Sequence, residues 1–362
     1  MGKPIIGILT WREGTKFEEP TYLRRLIREG RELGATVFLF GHQDIFAAER
    51  KIRGFVPSPE GGWVSRIYNW PEIVIDRCRK GSPEYREIRN STLFRYVNQK
   101  YTNKWNATRR FMQNEAMRRW IPETVIYSTE NLRQMLKKHE LIYVKPGNGT
   151  GGRSILKISH QKNTKGGYTV LGRSRTLVKK RLTFQTLQGL TRWLNRWVKA
   201  EKIRDGHFMI QQGLNLELIP GRVADTRLLI QKNELGEWRI TGLGVRVGGK
   251  NSPTSNLHGG GKAVSFANFL SERFNQEQIQ EIQRECHQLA HTVVNVIEEE
   301  FGTMMEFGLD IGIDIKGRVW LIEVNPKPGR DIFKKMGNMG LYKKSVQRPL
   351  QFAMYLLEQD AG

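Results

Sequence analysis

The stretch MEFGLDIGIDIKGRVWLIEVNPKPG, residues 305–329, constrains this chain more than any other. Alternation places Phe307, Leu309, Ile311, Ile313 and Ile315 on one face of a strand, and Glu306, Asp310 and Asp314 on the other. Residues 318–324 read as a second strand, and Lys316-Gly317 reads as the turn of a hairpin. Counting outward from a two-residue turn sets Ile315 opposite Arg318, Asp314 opposite Val319 and Asp310 opposite Glu323. Asn325 shares the face of Glu323. Directly opposed side chains stand roughly 4.5–5.5 Å apart, and like charges there repel. Two facing carboxylates with an amide beside them therefore call for a cation. An all-oxygen set with few carboxylates suits Mg²⁺, which completes its shell with water and phosphate oxygens. A solvated surface hairpin accounts for any one of these acids, but poorly for the set. Asp314 lies about 13 Å from Asp310 at ~3.3 Å per residue, too far to share an ion, and is assigned to the turn.

The chain has 362 residues, enough for two or three domains, with 59 Lys+Arg against 36 Asp+Glu and a formal net charge of +23. That excess points to a polyanionic partner or a phosphorylated small molecule, or to a solubility bias of the source. No arginine-rich tail or zinc-finger spacing accompanies it, so nucleic acid is disfavoured as a partner. Two cysteines, Cys78 and Cys286, exclude a disulfide framework and suit a reducing interior. The apolar run at residues 5–9 is too short for a signal peptide, and no stretch approaches the ~20 apolar residues of a membrane span. A cytoplasmic location is expected.

Taken in order, residues 3–10, 36–40 and 72–76 read as strands, with a helix over 22–33 ending at Gly34. The β-α-β order predicts a small parallel-sheet domain over residues 1–101. The spacing predicts helices over 83–100, 103–120, 132–139, 184–199, 276–300 and 346–357. It predicts strands over 124–127, 141–146, 154–159, 207–212, 224–231 and 237–247. Residues 160–183 read as a polar basic segment and 248–261 as loop. Within that loop His258, beside Gly259-Gly260-Gly261, reads as a polar loop residue rather than a substrate contact, because no acid/base partner can be named for it.

KPGNGTGGRSI, residues 145–155, carries four glycines in six residues behind a lysine. Dense glycine lets backbone N–H groups approach phosphates, and lysine adds a point charge. A flexible hairpin tip is the plain alternative. The spacing comes close to a P-loop, but the lysine position there is Arg153. A P-loop also runs from strand into helix, whereas residues 154–159 read as a strand. Strand–glycine loop–strand describes a flap lying over phosphates.

This ordering of a lysine at a helix start, a lysine-glycine flap, a strand hinge and an Asp…Glu-x-Asn hairpin resembles the ATP-grasp superfamily. The resemblance spans about residues 103–329. Within that superfamily the chain is similar to the endospore coat-associated YheC/YheD family, through KWNATRRF from Lys104, VKPGNGTGGRSI, IQQGLNL from Ile210, ADTRLLIQ from Ala224 and GLDIGIDIKGRVWLIEVNPKPGRD from Gly308. The resemblance implies an α/β (α+β) ATP-grasp fold behind an N-terminal parallel-sheet domain, with a lid subdomain over 102–212 and a C-terminal subdomain over 213–362. Lys104 and Lys145 become the nucleotide lysines, and Gly149, Thr150, Gly151 and Gly152 the flap over the β- and γ-phosphates. Gln211, Gln212 and Leu214 occupy the hinge that presents backbone groups to adenine; a glutamate frequent there is replaced, which leaves that contact to the backbone. Glu217 is the candidate for ribose. Arg227 and Arg246 are the catalytic arginines near the γ-phosphate and the acyl phosphate, with pairing to acids such as Asp225 as their ordinary alternative. Lys104 could equally be an exposed lysine. Asp310, Glu323 and Asn325 match the metal ligands that the hairpin count had reached without the family.

The implied cofactors are ATP and Mg²⁺, one or two ions, with Mn²⁺ as an alternative. The implied chemistry is ligation of a carboxylate to an amine or other nucleophile through an acyl phosphate, in spore coat assembly. Such a reaction needs positioning and charge neutralisation more than covalent help from the protein. The substrates are unspecified, although the basic first domain suits an acidic peptide or anionic polymer. The rival expectation is a non-catalytic spore coat-associated protein that keeps the fold and binds a polyanion. An RNA-binding module rests on charge alone.

Overall fold

The run Ile5–Leu9 is buried along its length apart from its first residue. Unbroken apolar runs suit strands covered on both faces, and this one lies between two parallel neighbours, Thr36–Phe40 and Ile73–Asp76. The protein is described by a computed structural model covering residues 2–102, 104–147, 153–161, 167–202, 207–249 and 261–361, without the side chains at 104, 161, 360 and 361. In it the hairpin Lys51–Pro57 and Trp63–Asn69 extends this first sheet beyond Thr36–Phe40, with Ile45–Phe46 at the edge. The helix Pro20–Glu32 begins on a proline, whose missing N–H is unneeded in the first turn. It ends before Gly34 at φ 87°, a left-handed position that glycine takes without a Cβ clash. Val346, Leu350, Phe352 and Ala353 of the terminal helix return to the same core, so both ends of the chain build it.

The second sheet is antiparallel, in the order Lys179–Phe184, Gly167–Arg173, Ile155–Gln161, Leu141–Pro146, Phe208–Gln212 and Thr124–Ile126. The helices Thr129–Lys138 and Leu187–Glu201 cover it, each capped by a hydroxyl, Ser128 or Thr186. The third sheet runs Lys262–Val264, Trp238–Val247, Ala224–Lys232, Glu306–Ile313 and Val319–Asn325. Its core is closed by the helix Gln276–Phe301, which buries Ile279, Ile282, Cys286, Leu289 and Val293, and by Ala107 and Phe111 of the helix Lys104–Gln113. Among the described residues no helix is long and apolar enough to cross a membrane.

Several elements differ from the sequence expectation. The helix predicted over 83–100 is Pro83–Asn90 only. At Ser91 the backbone turns extended, and Val74 then donates to the Arg95 carbonyl while Val97 donates to that of Val74. The edge of the first sheet has thus captured backbone groups that a longer helix would have used, and it buries Phe94 and Val97. The helix predicted over 103–120 ends at Gln113, where the Asn114 side chain accepts from the Met117 N–H and competes with further helix. Residues 160–183 contain two strands, Gly167–Arg173 and Lys179–Phe184. Tyr168 and Val170 point inward, but Leu171 on the outer face, Gly172 on the inner one and Lys180 in line with Leu182 break the alternation. The terminal helix begins at Met339 rather than 346. Asn103 and residues 250–260, with His258, lie outside the described residues.

Candidate active site

Asp310 faces Glu323 across the hairpin, and Gly308 faces Asn325. The route to that register differs from the count. The Asp314 N–H donates to the Arg318 carbonyl at 3.0 Å and the Gly317 N–H to the Asp314 carbonyl at 2.9 Å, with Gly317 at φ 82°. The loop is therefore one residue longer than Lys316-Gly317, and the pairs near it are Ile313 with Val319 and Ile311 with Leu321. An irregularity between Asp310 and Ile311 restores the register and seats Asp310 opposite Glu323. Bulges re-aim side chains in this way. Asp314 serves the turn: its carboxylate accepts from the N–H groups of Lys316 and Arg318 and from the Trp320 indole.

The neighbouring strands bring cations to Asp310. Arg227 lies opposite it on Ala224–Lys232, and Arg246 lies opposite Asp225 one strand further on. Arg227 Nε donates to Asp310 Oδ1 at 2.6 Å and Arg246 Nη2 approaches Oδ2 at 3.0 Å. Arg246 also grips Asp225 with Nε and Nη2, both at 2.6 Å. The ordinary alternative for the two arginines, pairing with acids such as Asp225, is thus realised here, and it includes Asp310 itself. Burial alone would raise the Asp310 pKa, but Arg227 and then Arg246 outweigh it and hold it down to about 2. Burial opposes the charge on Arg246 too, and Asp310 and Asp225 hold that pKa above its usual range. The hydroxyl of Tyr101 is buried and lies near the charge of Glu323, and its pKa is pushed up. Asn325 Nδ2 reaches the Gly308 carbonyl at 3.4 Å.

Lys145, Gln211, Gln212, Leu214, Arg227, Arg246, Asp310, Glu323 and Asn325 line one cavity of about 1290 Å³ between the second and third sheets. Leu141–Pro146, which carries Lys145, pairs antiparallel with both Ile155–Gln161 and Phe208–Gln212. The glycine segment is therefore bounded by two strands, which rules out a P-loop. Lys145 Nζ donates to Gln211 Oε1 at 2.7 Å, and Gln211 Nε2 to Thr124 Oγ1 at 2.9 Å. Gln212 Oε1 accepts from the Glu123 N–H. Glu217 is not on the cavity wall; it pairs with Lys157 at 3.2 Å and accepts from the Gly221 N–H. Gly149, Thr150, Gly151, Gly152 and the Lys104 side chain lie outside the described residues.

The donor set fits Mg²⁺. Each Asp310 oxygen receives one guanidinium and keeps a second lone pair. Among the described residues no group of three or more His, Cys, Asp and Glu could hold a metal ion. Two carboxylates and an amide leave most of an octahedral shell to water and phosphate, as Mg²⁺ prefers. Sequence reasoning missed the opposite wall, built by Asp76, Arg79, Tyr101 and Lys327. Lys327, two residues past Asn325, bonds Asp76 at 2.8 Å, the Tyr85 hydroxyl at 3.1 Å and the Cys78 carbonyl. The available signal was topological: ligands of open parallel sheets gather at the strands' carboxyl ends, where Asp76 and Arg79 sit.

The description "YheC/D like ATP-grasp" matches residues 93–356. The endospore coat-associated protein YheD of Bacillus subtilis (strain 168) is 28% identical over 376 residues, covering 98% of this chain and 79% of that protein. The endospore coat-associated protein YheC of the same organism is 26% identical over 323 residues, covering 86% of each. The crystal structure of D-cycloserine synthetase DcsG superposes with a TM-score of 0.55 at 12% identity, covering 98% of this chain and 99% of that one. D-alanyl-alanine synthetase A from Vibrio cholerae gives the same TM-score and identity over 97% and 99%. At such identity the structures share the fold. With a family match over most of its length, the chain belongs to the YheC/D-like ATP-grasp family.

Proposed function

We propose that this protein is an ATP- and Mg²⁺-dependent ligase that joins a carboxylate to an amine or other nucleophile, acting in spore coat assembly. The observation that carries the reading is Asp310 facing Glu323 with Arg227 and Arg246 beside it, on the wall of the cavity that also holds Lys145 and Gln211. Lys145 would meet nucleotide phosphates at the flap's entry. The backbone of Gln211, Gln212 and Leu214 would meet the base. Asp310, Glu323 and Asn325 would hold the ion, whose chemistry when bound is neutralisation of the triphosphate's charge. Arg227 and Arg246, already aimed at an anion, would stabilise negative charge as it moves from nucleotide to the activated carboxylate. The site needs no nucleophilic side chain for this. The coat-associated relatives supply the spore context, and a cytoplasmic place of action fits the unpaired, buried Cys78 and Cys286.

Titration calorimetry of Mg·ATP, with Lys145→Ala and Glu323→Ala beside the wild type, tests the site. Both variants should lose Mg-dependent nucleotide binding; wild-type binding in both would refute it. Phosphate release across a panel of carboxylates and amines tests the reaction. The net charge of +23 favours a second reading, a polyanion-binding coat protein without turnover. Salt-sensitive polyanion binding with no ATP turnover under any substrate pair would select it.

A further inference from the structure

The cavity of about 1290 Å³ exceeds the roughly 300–1,000 Å³ of a typical small-ligand site, and it has a second wing. That wing lies at the carboxyl end of Ile73–Asp76 and is walled by Arg79, Tyr85, Asn98 and Lys100 among others. Most ionic groups there are spent. The ammonium of Lys327 has three acceptors. Arg89 is shared between Asp76 and the Asn98 carbonyl, with its guanidinium over the Tyr96 ring. Arg77 is buried between Glu306 and Glu19.

Two cations differ. Arg79 uses a single nitrogen, Nη2, for Glu19 at 3.0 Å and the Lys327 carbonyl at 2.9 Å. Its Nε and Nη1 have no partner among the described residues, and 40% of the side chain is accessible. Lys100 donates to the Asn90 amide oxygen and meets no carboxylate among the described residues. Arg79 is also held in place. Glu19 sets its carboxylate between Arg77 and Arg79 from a left-handed backbone, φ 52° and ψ 46°, that L residues disfavour. Burial, and after it the Arg77 charge, push the Arg79 pKa down, so an arriving anion relieves a cation already at a disadvantage. Preorganised donors of this kind lower the cost of binding.

We infer that this wing seats a polycarboxylate substrate, with Arg79 and Lys100 each receiving a carboxylate other than the reacting one. The inference rests on the ligase reading and names its substrate class. A guanidinium and an ammonium from different segments of one wall suit a ligand with more than one carboxylate, as an acidic peptide carries.

The test is calorimetric binding of tri-L-glutamate to the full chain, with citrate and tri-L-alanine in parallel and Mg·ATP affinity measured on every variant. Tri-L-glutamate should bind and tri-L-alanine should not. Arg79→Gln with Lys100→Gln should weaken tri-L-glutamate at least 10-fold and leave Mg·ATP affinity unchanged. The exposed Lys100→Gln alone should weaken it about threefold, which keeps the test open if Arg79 variants misfold. Arg192→Gln with Arg196→Gln, on an exposed helix face off the cavity, should change nothing. Citrate binding as tightly as the peptide would assign the wing to a small free acid, against the peptide. Absence of binding by both acids, or equal weakening by the Arg192 and Arg196 pair, overturns the inference. Arg79-dependent tri-L-glutamate binding in a protein that ignores Mg·ATP would uphold the wing and sink the ligase reading instead.

Discussion

Glu306 and Asp310 lie four residues apart on one face of one strand, and each carboxylate is met by two guanidiniums. Glu306 is bonded by Arg77 at 3.1 Å, by Arg330 and by Gln231 at 2.8 Å, and all three charged side chains are at most 2% exposed. Arg77 follows the first sheet's strand Ile73–Asp76, so this cluster ties that sheet to the third. Asp310 is bonded by Arg227 and Arg246, but it opens on the cavity and faces a second carboxylate. The two groups share chemistry and differ in access. Where every partner is buried, an ion pair is architecture. Where the pair lines a cavity opposite a like charge, its partners can be exchanged for a ligand.

Substituting each acid should separate the two roles. Glu306→Ala strips a partner from two buried guanidiniums, and breaking such a group costs about 3–5 kcal/mol. A large fall in melting temperature is expected, with Mg·ATP affinity per folded molecule nearly unchanged. A 10-fold loss of nucleotide affinity at an unchanged melting point would collapse the comparison. Asp310→Asn should show the converse. Removing one preorganised charge-handling group costs about 10²–10³ in turnover, roughly 2.7–4 kcal/mol. Melting should move less, because Arg246 keeps both of its bonds to Asp225. Steady-state phosphate release beside differential scanning calorimetry reads both effects.

The third prediction concerns the residue between the two acids. A Cβ at Gly308 would come within 2.7 Å of the Pro328 Cβ and 3.3 Å of Arg227 Nη1. Gly308→Ala should therefore disturb both clusters in part, costing about 1–3 kcal/mol in stability. It should also weaken Mg·ATP severalfold through Arg227. An effect on melting alone would show that Arg227 is not tied to the site through this contact.

The register of the hairpin shows how far sequence reading reaches. Alternation identified the shared face of Glu306, Asp310 and Asp314 because the strand period is two and Leu309 and Ile311 needed burial. The pairing of Asp310 with Glu323 was right, but two deviations cancelled: a loop one residue longer and a bulge one residue deep. Counting cannot see either. Glu306 looked like the other two acids, because its partners come from residues 77 and 330, which no local pattern connects. The flanking strands that set Lys145 and Gln211 side by side were legible from short apolar runs between turn signals. Strand 167–173 was not, since Leu171 lies on its outer face and Gly172 on its inner one, which blurs the alternation. The Arg79 wing had only the topological signal of a parallel sheet's carboxyl edge; its contacts, like those of Arg77, exist only once the first sheet docks on the hairpin.

The smallest effect is expected at Asp314, the third acid of that face. It accepts three hydrogen bonds, but in an exposed turn where freed N–H groups can turn to water. Asp314→Ala should cost only about 1 kcal/mol. Its value lies in what it does to the register. If the loop relaxes without its acceptor, pairs up to Ile311 can slip, but the irregularity next to Asp310 stands between them and the site. Mg·ATP affinity should then match the wild type. If it falls as far as in Asp310→Asn, the turn sets the site's register and the bulge does not insulate it. The line between architectural and exchangeable acids on this strand would then have to be redrawn to place Asp314 with Asp310.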